Sequence, residues 1–323
     1  MASCFWGTVW PRVWTSRQSR NRTGGWLMIK HIVGEALRKA AGRVIVEPLL
    51  AELARRGKSS PTNKVAQRAL FNYWQRQVEA GARWSLHDVG FRNFSQFEED
   101  GLLLYIFAAI GTHTKTFVDI GAGDGINSNC ANLAINFGWG GLFIDGDEQN
   151  VAVGREFYSR HADTWAHPPR FVRAFVQREN INQVLTQEGL GGEVDLVSID
   201  LDGNDFWIWD AVTTIDPRVV IVETHVEFGT HDIVVPYDKN YCYPGKHPDY
   251  HGASPVAMAK LADRKGYRLV GANAYGFNTI YVKRGIGEDV LPEVAVESVL
   301  RHPRNIERFQ RFNEIADWEY VTI

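Results

Sequence analysis

The sequence predicts an α/β protein: a doubly wound, seven-stranded sheet with one antiparallel strand, preceded by a helical N-terminal extension. Three observations carry this. From Ser95 to Lys283 short β-branched apolar runs alternate with helix-length segments, the pattern of strands buried on both faces. The first run ends in Gly121-Ala122-Gly123-Asp124-Gly125, a strand-to-helix turn with glycine at alternate positions. The last two runs are separated only by Ala274–Phe277, too short for a parallel crossover, so they pair as an antiparallel hairpin.

Composition narrows the classes. The chain has 323 residues, 45% hydrophobic and 23% charged, which excludes a mainly disordered or fibrous protein. A formal net charge of −3 gives no basic field for a nucleic-acid partner. Cys4, Cys130 and Cys242 make neither a disulfide framework nor a four-cysteine zinc site, and a reducing, cytoplasmic setting is expected. No apolar run reaches the ~18 residues of a membrane span.

Residues 1–27 are acid-free, with four arginines and Trp6, Trp10, Trp14 and Trp26. They read as a disordered tail or a mis-called start ahead of Met28; an organelle-targeting segment is the other reading. Residues 28–92 read as a helical extension. In 28–46, Ile29, Ile32, Val33, Ala36, Leu37 and Ala40 recur at helical spacing between basic residues. Such a helix either packs on a neighbouring domain or makes a peripheral contact with an anionic membrane. The run 55–64 reads as a linker, and 81–93 as loop.

Residues 93–285 are the main domain. Ser95 and Glu98 spell a capping box ahead of the apolar helix Leu102–Ile110. Strands are expected at Thr116–Ile120, Gly141–Asp145, Arg170–Phe175, Val194–Leu201, Arg218–Thr224, Tyr267–Asn273 and Asn278–Lys283. Residues 286–323 form a C-terminal extension, helical around Glu293–Phe312.

The turn after the first strand is not a dinucleotide fingerprint, whose third glycine would fall at Ile126. It reads D-x-G-x-G-x-G, with Asp119 inside the strand end. Asp145 ends the second strand, where a carboxylate accepts both hydroxyls of a ribose. Asp195, Asp200, Asp202 and Asp205 crowd around the fourth strand, and ligands of such sheets bind beyond the strand carboxyl ends.

Together these stretches resemble class I S-adenosylmethionine-dependent methyltransferases of the FkbM-type branch. The likeness runs through Ser95-Gln96, Glu99-Asp100-Gly101, the glycine loop, Gly138 to Gly146, Ser198 to Asp205, Val235-Pro236-Tyr237-Asp238, Gly252-Ala253-Ser254 and Lys265-Gly266-Tyr267. It implies a Rossmann-like fold and S-adenosylmethionine held by Asp119, Gly121, Gly123, Asp124, Asp145 and Asp200. Related O-methyltransferases hold Mg²⁺ at such positions, so the resemblance implies either Mg²⁺ between Asp200 and Glu223, with Asp202 or His225 as a further ligand, or two hydrogen-bonded structural carboxylates. One departure stands out. An acid followed by Tyr and Asn is expected after the fifth strand, and Glu223-Thr224-His225-Val226-Glu227 is found.

Roughly thirty residues then precede the helix that starts at Ser254, a length typical of a functional loop. They carry Phe228, Tyr237, Tyr241, Tyr243 and Tyr250 among His231, His247 and His251, a mixture suited to a sugar or a phenol. The expected function is O-methylation of a small acceptor, a saccharide or glycosylated metabolite, with His225, Asp202 and His251 as bases in that order. The alternative is a non-catalytic cofactor-binding or scaffold protein that keeps the fold; a nicotinamide enzyme is disfavoured by Ile126.

Overall fold

The computed structural model describes residues 58–323. The expectations for 1–27 and for the amphipathic stretch 28–46 lie outside them. Residues 64–323 form one compact unit. Among the described residues no helix is long and apolar enough to cross a membrane.

Two helices, α1 (Pro61–Glu79) and α2 (Glu99–Ile110), lead into the sheet. The alternating elements follow: β1 (Thr116–Ile120), α3 (Ala131–Phe137), β2 (Gly140–Asp145), α4 (Glu148–Arg160), β3 (Arg170–Arg173), α5 (Ile181–Gln187) and β4 (Gly192–Ile199). Next come α6 (Asp205–Ala211), β5 (Ile215–Glu223), the short β6 (Ile233–Val234), α7 (Pro255–Arg264) and the hairpin β7 (Tyr267–Ala272) and β8 (Asn278–Lys283). The chain ends with α8 (Asn305–Arg311) and β9 (Val321–Thr322). The seven-stranded sheet runs β3-β2-β1-β4-β5-β8-β7, parallel except for β8, which is antiparallel to both neighbours. This is the expected Rossmann-like sheet.

Strand alternation divides the core into two layers. Phe117, Phe143, Leu196 and Ile221 face α2, α3 and α4. Val118, Ile144, Val197 and Val220 face α5, α6 and α7. The sheet is thus buried on both faces, which is why its strands are β-branched almost throughout. β5 begins earlier than expected and contains Pro217. Its pairing with β8 starts only at Val219, so the missing N–H breaks no bond on that side.

Two local expectations fail. The capping box does not form: the residue before α2 is Glu98, without a side-chain cap. Asp100 captures this segment instead. Its Oδ2 accepts from the backbone N–H groups of Asn93, Phe94 and Ser95 and from Ser95 Oγ. Glu98 is then free to accept from the Ala274 amide of the β7–β8 turn.

Asp195, expected among the acids at the carboxyl end of β4, lies toward the opposite end. It accepts from the N–H groups of His113, Thr114 and Lys115 and pairs with buried Arg218 at 2.8 Å. Burial opposes its charge, but Arg218 and those donors hold its carboxyl below the usual range. Arg218 also caps α2 by donating to Ile110 O and Gly111 O. Asp195→Ala leaves Arg218 buried without its anion and should cost about 3–5 kcal/mol. A denaturant midpoint close to wild type would show that the pair contributes little.

The C-terminal extension holds a shorter helix than expected. Pro303 interrupts 293–312, leaving a 3₁₀ turn at Val296–Leu300 and the seven-residue α8. The end of the chain returns to the long insertion, where β9 pairs antiparallel with β6.

Candidate functional site

Register brings the acids together. Ile144, Ile120, Ile199 and Val222 are successive cross-strand partners in β2, β1, β4 and β5. The next residues of those four strands are Asp145, Gly121, Asp200 and Glu223. β8 extends the line, because Asn278 lies directly opposite Glu223. The carboxyl edge of the sheet is therefore a row of polar groups running across five strands.

The glycine loop is fixed from both sides. Gly121 N and Ala122 N donate to Ile144 O, and Asp200 N donates to Ile120 O. Gly121, at φ +85°, passes so close to β4 that a Cβ there would lie 1.8 Å from Asp200 O. Gly123, at φ +57°, differs: a Cβ on it meets nothing within 4 Å. Gly121 is thus demanded by the fold, whereas Gly123 presents bare backbone at the surface of the loop. Asp124 accepts from Ile126 N and closes the turn.

Asp145 has a role the sequence did not suggest. Its Oδ2 accepts from Gly123 N at 2.8 Å; its Oδ1 accepts from Asp147 N and Asn150 Nδ2. Both lone pairs of Oδ1 are engaged, so only Oδ2 keeps a site for a ligand donor. The bidentate grip expected on a ribose does not fit these bonds. Asp119 is buried, accepts from Ser128 Oγ, and is pushed up to about 6 by burial.

Asp200, Asp202 and Glu223 offer carboxylate oxygens that all lie within 4.8 Å of one another. No lysine or arginine among the described residues pairs with any of them. Burial, then the neighbouring carboxylates, pushes Asp200 and Glu223 well above the usual range; burial alone raises Asp202. Asp202 adopts φ +53°, one of two described non-glycine residues with positive φ, and strain of this kind concentrates at functional turns. Asp205 organises the turn, accepting from Leu201 N and Gly203 N, and burial lifts it to about 7.

His225 is not a member of that group. Its Nε2 lies 2.9 Å from Asp249 O, a pure acceptor, so Nε2 carries the proton. Its Nδ1 faces Glu227 at 3.5 Å. Burial lowers its pKa to about 4, and that of His251 to about 3. Neither imidazole is a strong base at neutral pH. Glu227 is held in turn by Arg308 of α8, which ties this cluster to the C-terminal segment.

The insertion contributes a wall of rings. Tyr241 and Tyr243 lie against His251, with centroids 6.5 Å and 5.5 Å away, and His251 lies 4.3 Å from His225. The field of Asp202 and Glu223 reaches both tyrosines and, behind the larger effect of burial, raises both phenols. The Tyr241 hydroxyl is buried without a hydrogen-bond partner. The other three aromatics hold the loop in place. Tyr237 donates to Glu179, Tyr250 donates to Glu319 O, and Phe228 is fully buried.

Sequence reasoning missed Gln96, Glu99 and Asn278, which the next sections use. Gln96 and Glu99 stand in the stretch from Ser95 to Gly101 that carries the resemblance, with no role assigned there, and Asn278 merely opens an expected strand. A cavity of about 710 Å³ is bounded by Trp84, Leu86, Val270 and Leu291 and contains none of the acids above.

No protein-family model matches the sequence, and no curated protein is similar to it. Among solved structures the chain is similar to WbdD bound to a kinase inhibitor (17% identity, TM-score 0.33), matching 52% of this chain and 35% of that one. It thus spans about a third of that protein. It is also similar to the N-terminal domain of EvdMO1 crystallised with S-adenosylhomocysteine and D-fucose (14% identity, TM-score 0.40; 65% and 94% covered). A third is an S-adenosylmethionine-dependent methyltransferase of Clostridium acetobutylicum (9% identity, TM-score 0.37; 57% and 89% covered). The fold assignment rests on the strand order and register above.

Proposed function

We propose that the protein is an S-adenosylmethionine-dependent O-methyltransferase of the FkbM-type branch, acting on a hydroxyl of a saccharide or glycosylated metabolite. The observation that carries the reading is the polar row Asp145, Gly121, Asp200 and Glu223, with Asp202 and a ring wall beside it.

The residues fit the cofactor. Gly123 leaves its backbone open to a flat ligand, and Asp145 Oδ2 keeps one acceptor site for a ribose hydroxyl. Asp119 and Asp200 line a small pocket of about 40 Å³ beside the loop, room for one end of a ligand only. They fit Mg²⁺ as well, because Asp200, Asp202 and Glu223 are an all-oxygen, hard donor set with no internal cation. Bound here, the cofactor supplies an electrophilic methyl whose transfer leaves a neutral thioether. The rings of Tyr241 and Tyr243 orient the acceptor, and alignment of its oxygen with the methyl is the main task. The acceptor's proton passes to Asp202, which replaces His225 as the base because His225 directs its N–H to Asp249 O and burial leaves its imidazole weakly basic.

The test is transfer of a labelled methyl group from S-adenosylmethionine to hydroxylated saccharides. Asp202→Asn should lower kcat by about 10² or more with cofactor affinity unchanged. Tight cofactor binding without transfer to any saccharide would favour the scaffold alternative instead.

A further inference from the structure

The pocket beside the glycine loop has a chemical bias that the acids of the motif alone do not explain. It is lined by Gln96, Asp119, Ser198, Asp200 and Asn278, among others, and no lysine or arginine lines it. Asp119 and Ser198 are direct cross-strand partners in β1 and β4. Asn278 comes from the antiparallel strand β8 and is 4% exposed. Its amide is held one way round. Nδ2 donates to Glu99 Oε1 at 2.9 Å, and the same oxygen accepts from Asn273 Nδ2 at 2.7 Å. The other Glu99 oxygen accepts from Phe97 N, so this carboxylate is fixed at the start of α2.

With Nδ2 committed to Glu99, Asn278 Oδ1 is left buried with no partner. An unpaired buried carbonyl oxygen is costly, and a site that keeps one presents it to a donor. Two carboxylates and a fixed amide oxygen around about 40 Å³ are complementary to a small group that is cationic and carries several N–H donors. The geometry points to a primary ammonium site in which Asn278, oriented by Glu99, accepts from the amino group of the bound cofactor's amino-acid end. This assignment rests on the cofactor reading above and adds to it a binding residue, Asn278, and a positioning residue, Glu99, from elements outside the glycine loop.

The amino group is isolated by comparing S-adenosylhomocysteine with its analogue bearing hydrogen in place of the amine. Both are titrated calorimetrically into wild type and Asn278→Leu. Wild type should prefer the amine-bearing ligand by roughly tenfold or more, the effect of hydrogen bonds to a charged group. Asn278→Leu should lose most of that preference while binding the deaminated analogue within about twofold of wild type, which is the coupling expected of a direct contact. Glu99→Gln, which leaves the Asn278 amide free to turn, should erode the preference less.

Wild type binding both ligands equally would overturn the ammonium assignment, as would an undiminished preference in Asn278→Leu. The wild-type comparison needs no variant, so it decides even if Asn278→Leu does not fold. Failure of wild type to bind either compound would instead overturn the cofactor reading, and this assignment with it.

Discussion

Mg²⁺ is expected to raise the melting temperature of the chelator-treated protein by about 5–10 °C near pH 8. An ion at a hundred times its dissociation constant contributes about 2.7 kcal/mol, and a unit of this size gains some 2–4 °C per kcal/mol. Asp200→Asn and Glu223→Gln should each remove most of that gain, because each takes one of three converging oxygens from the ion. Without the ion the same carboxylates act in the opposite direction. Asp200 and Glu223 have pKa values raised on folding, so the folded state binds protons more tightly than the unfolded one. Their stabilisation is complete below the ordinary carboxylate range and is lost as pH rises through the raised values. Asp119 and Asp205, at about 6 and about 7, add to the same slope. The chelated wild type should therefore melt lower at about pH 8 than at about pH 5.5, and Asp200→Asn should flatten that dependence. A Mg²⁺ shift that survives in both variants would exclude these carboxylates as the ligands.

The second large effect separates two glycines two residues apart in the same loop. Gly121→Ala forces a methyl to within 1.8 Å of the Asp200 carbonyl, in a backbone conformation that L-residues avoid. Neither β1 nor β4 can retreat, since Asp200 N is bonded to Ile120 O between them. The variant should lose more than about 4 kcal/mol and accumulate as unfolded protein. Gly123→Ala meets no neighbour and carries only the left-handed strain, about 1–2 kcal/mol. It should fold and bind S-adenosylhomocysteine poorly, because its methyl stands where bare backbone is offered. Calorimetric melting of both variants is decisive: a Gly121→Ala midpoint within a few degrees of wild type would contradict the close approach.

Much of this fold is legible in the amino-acid order because its strands are doubly buried. The bounds of β1 and β8 follow directly from apolar runs, and the antiparallel strand from a four-residue connection. The acids were read less well, for a reason strand geometry explains. Asp195 and Asp200 are five residues apart, about 17 Å along a strand and on opposite faces. Only Asp200 reaches the carboxyl edge. The Ser95–Glu98 pair carried the right letters for a cap, but Asp100 offered one oxygen to four donors and took Ser95 instead. His225 was illegible in a stronger sense. Its tautomer is set by the carbonyl of Asp249, and its other nitrogen lies near Glu227, itself held by Arg308. No local pattern announces those meetings. Asn278 was hidden likewise, since its value lies in a register with Glu223 that only the folded sheet defines.

The small β6–β9 sheet gives the two sides of the site different histories along the chain. The glycine loop and Asp145 belong to strands that pair across about two dozen residues. The ring wall of Tyr241, Tyr243 and His251 sits on an insertion whose strand finds its partner about ninety residues later, at Val321 and Thr322. Closing the longer loop costs more chain entropy, and contacts of such separation form slowly. During synthesis the glycine-loop side can therefore be in place while the wall still lacks its partner strand. Sequence variation at Val321 or Arg308, neither of which touches the three carboxylates, bears on the shape of that wall. The shape of the ring wall is in this way exposed to change about ninety residues away along the chain, while the loop beside β1 is insulated from it.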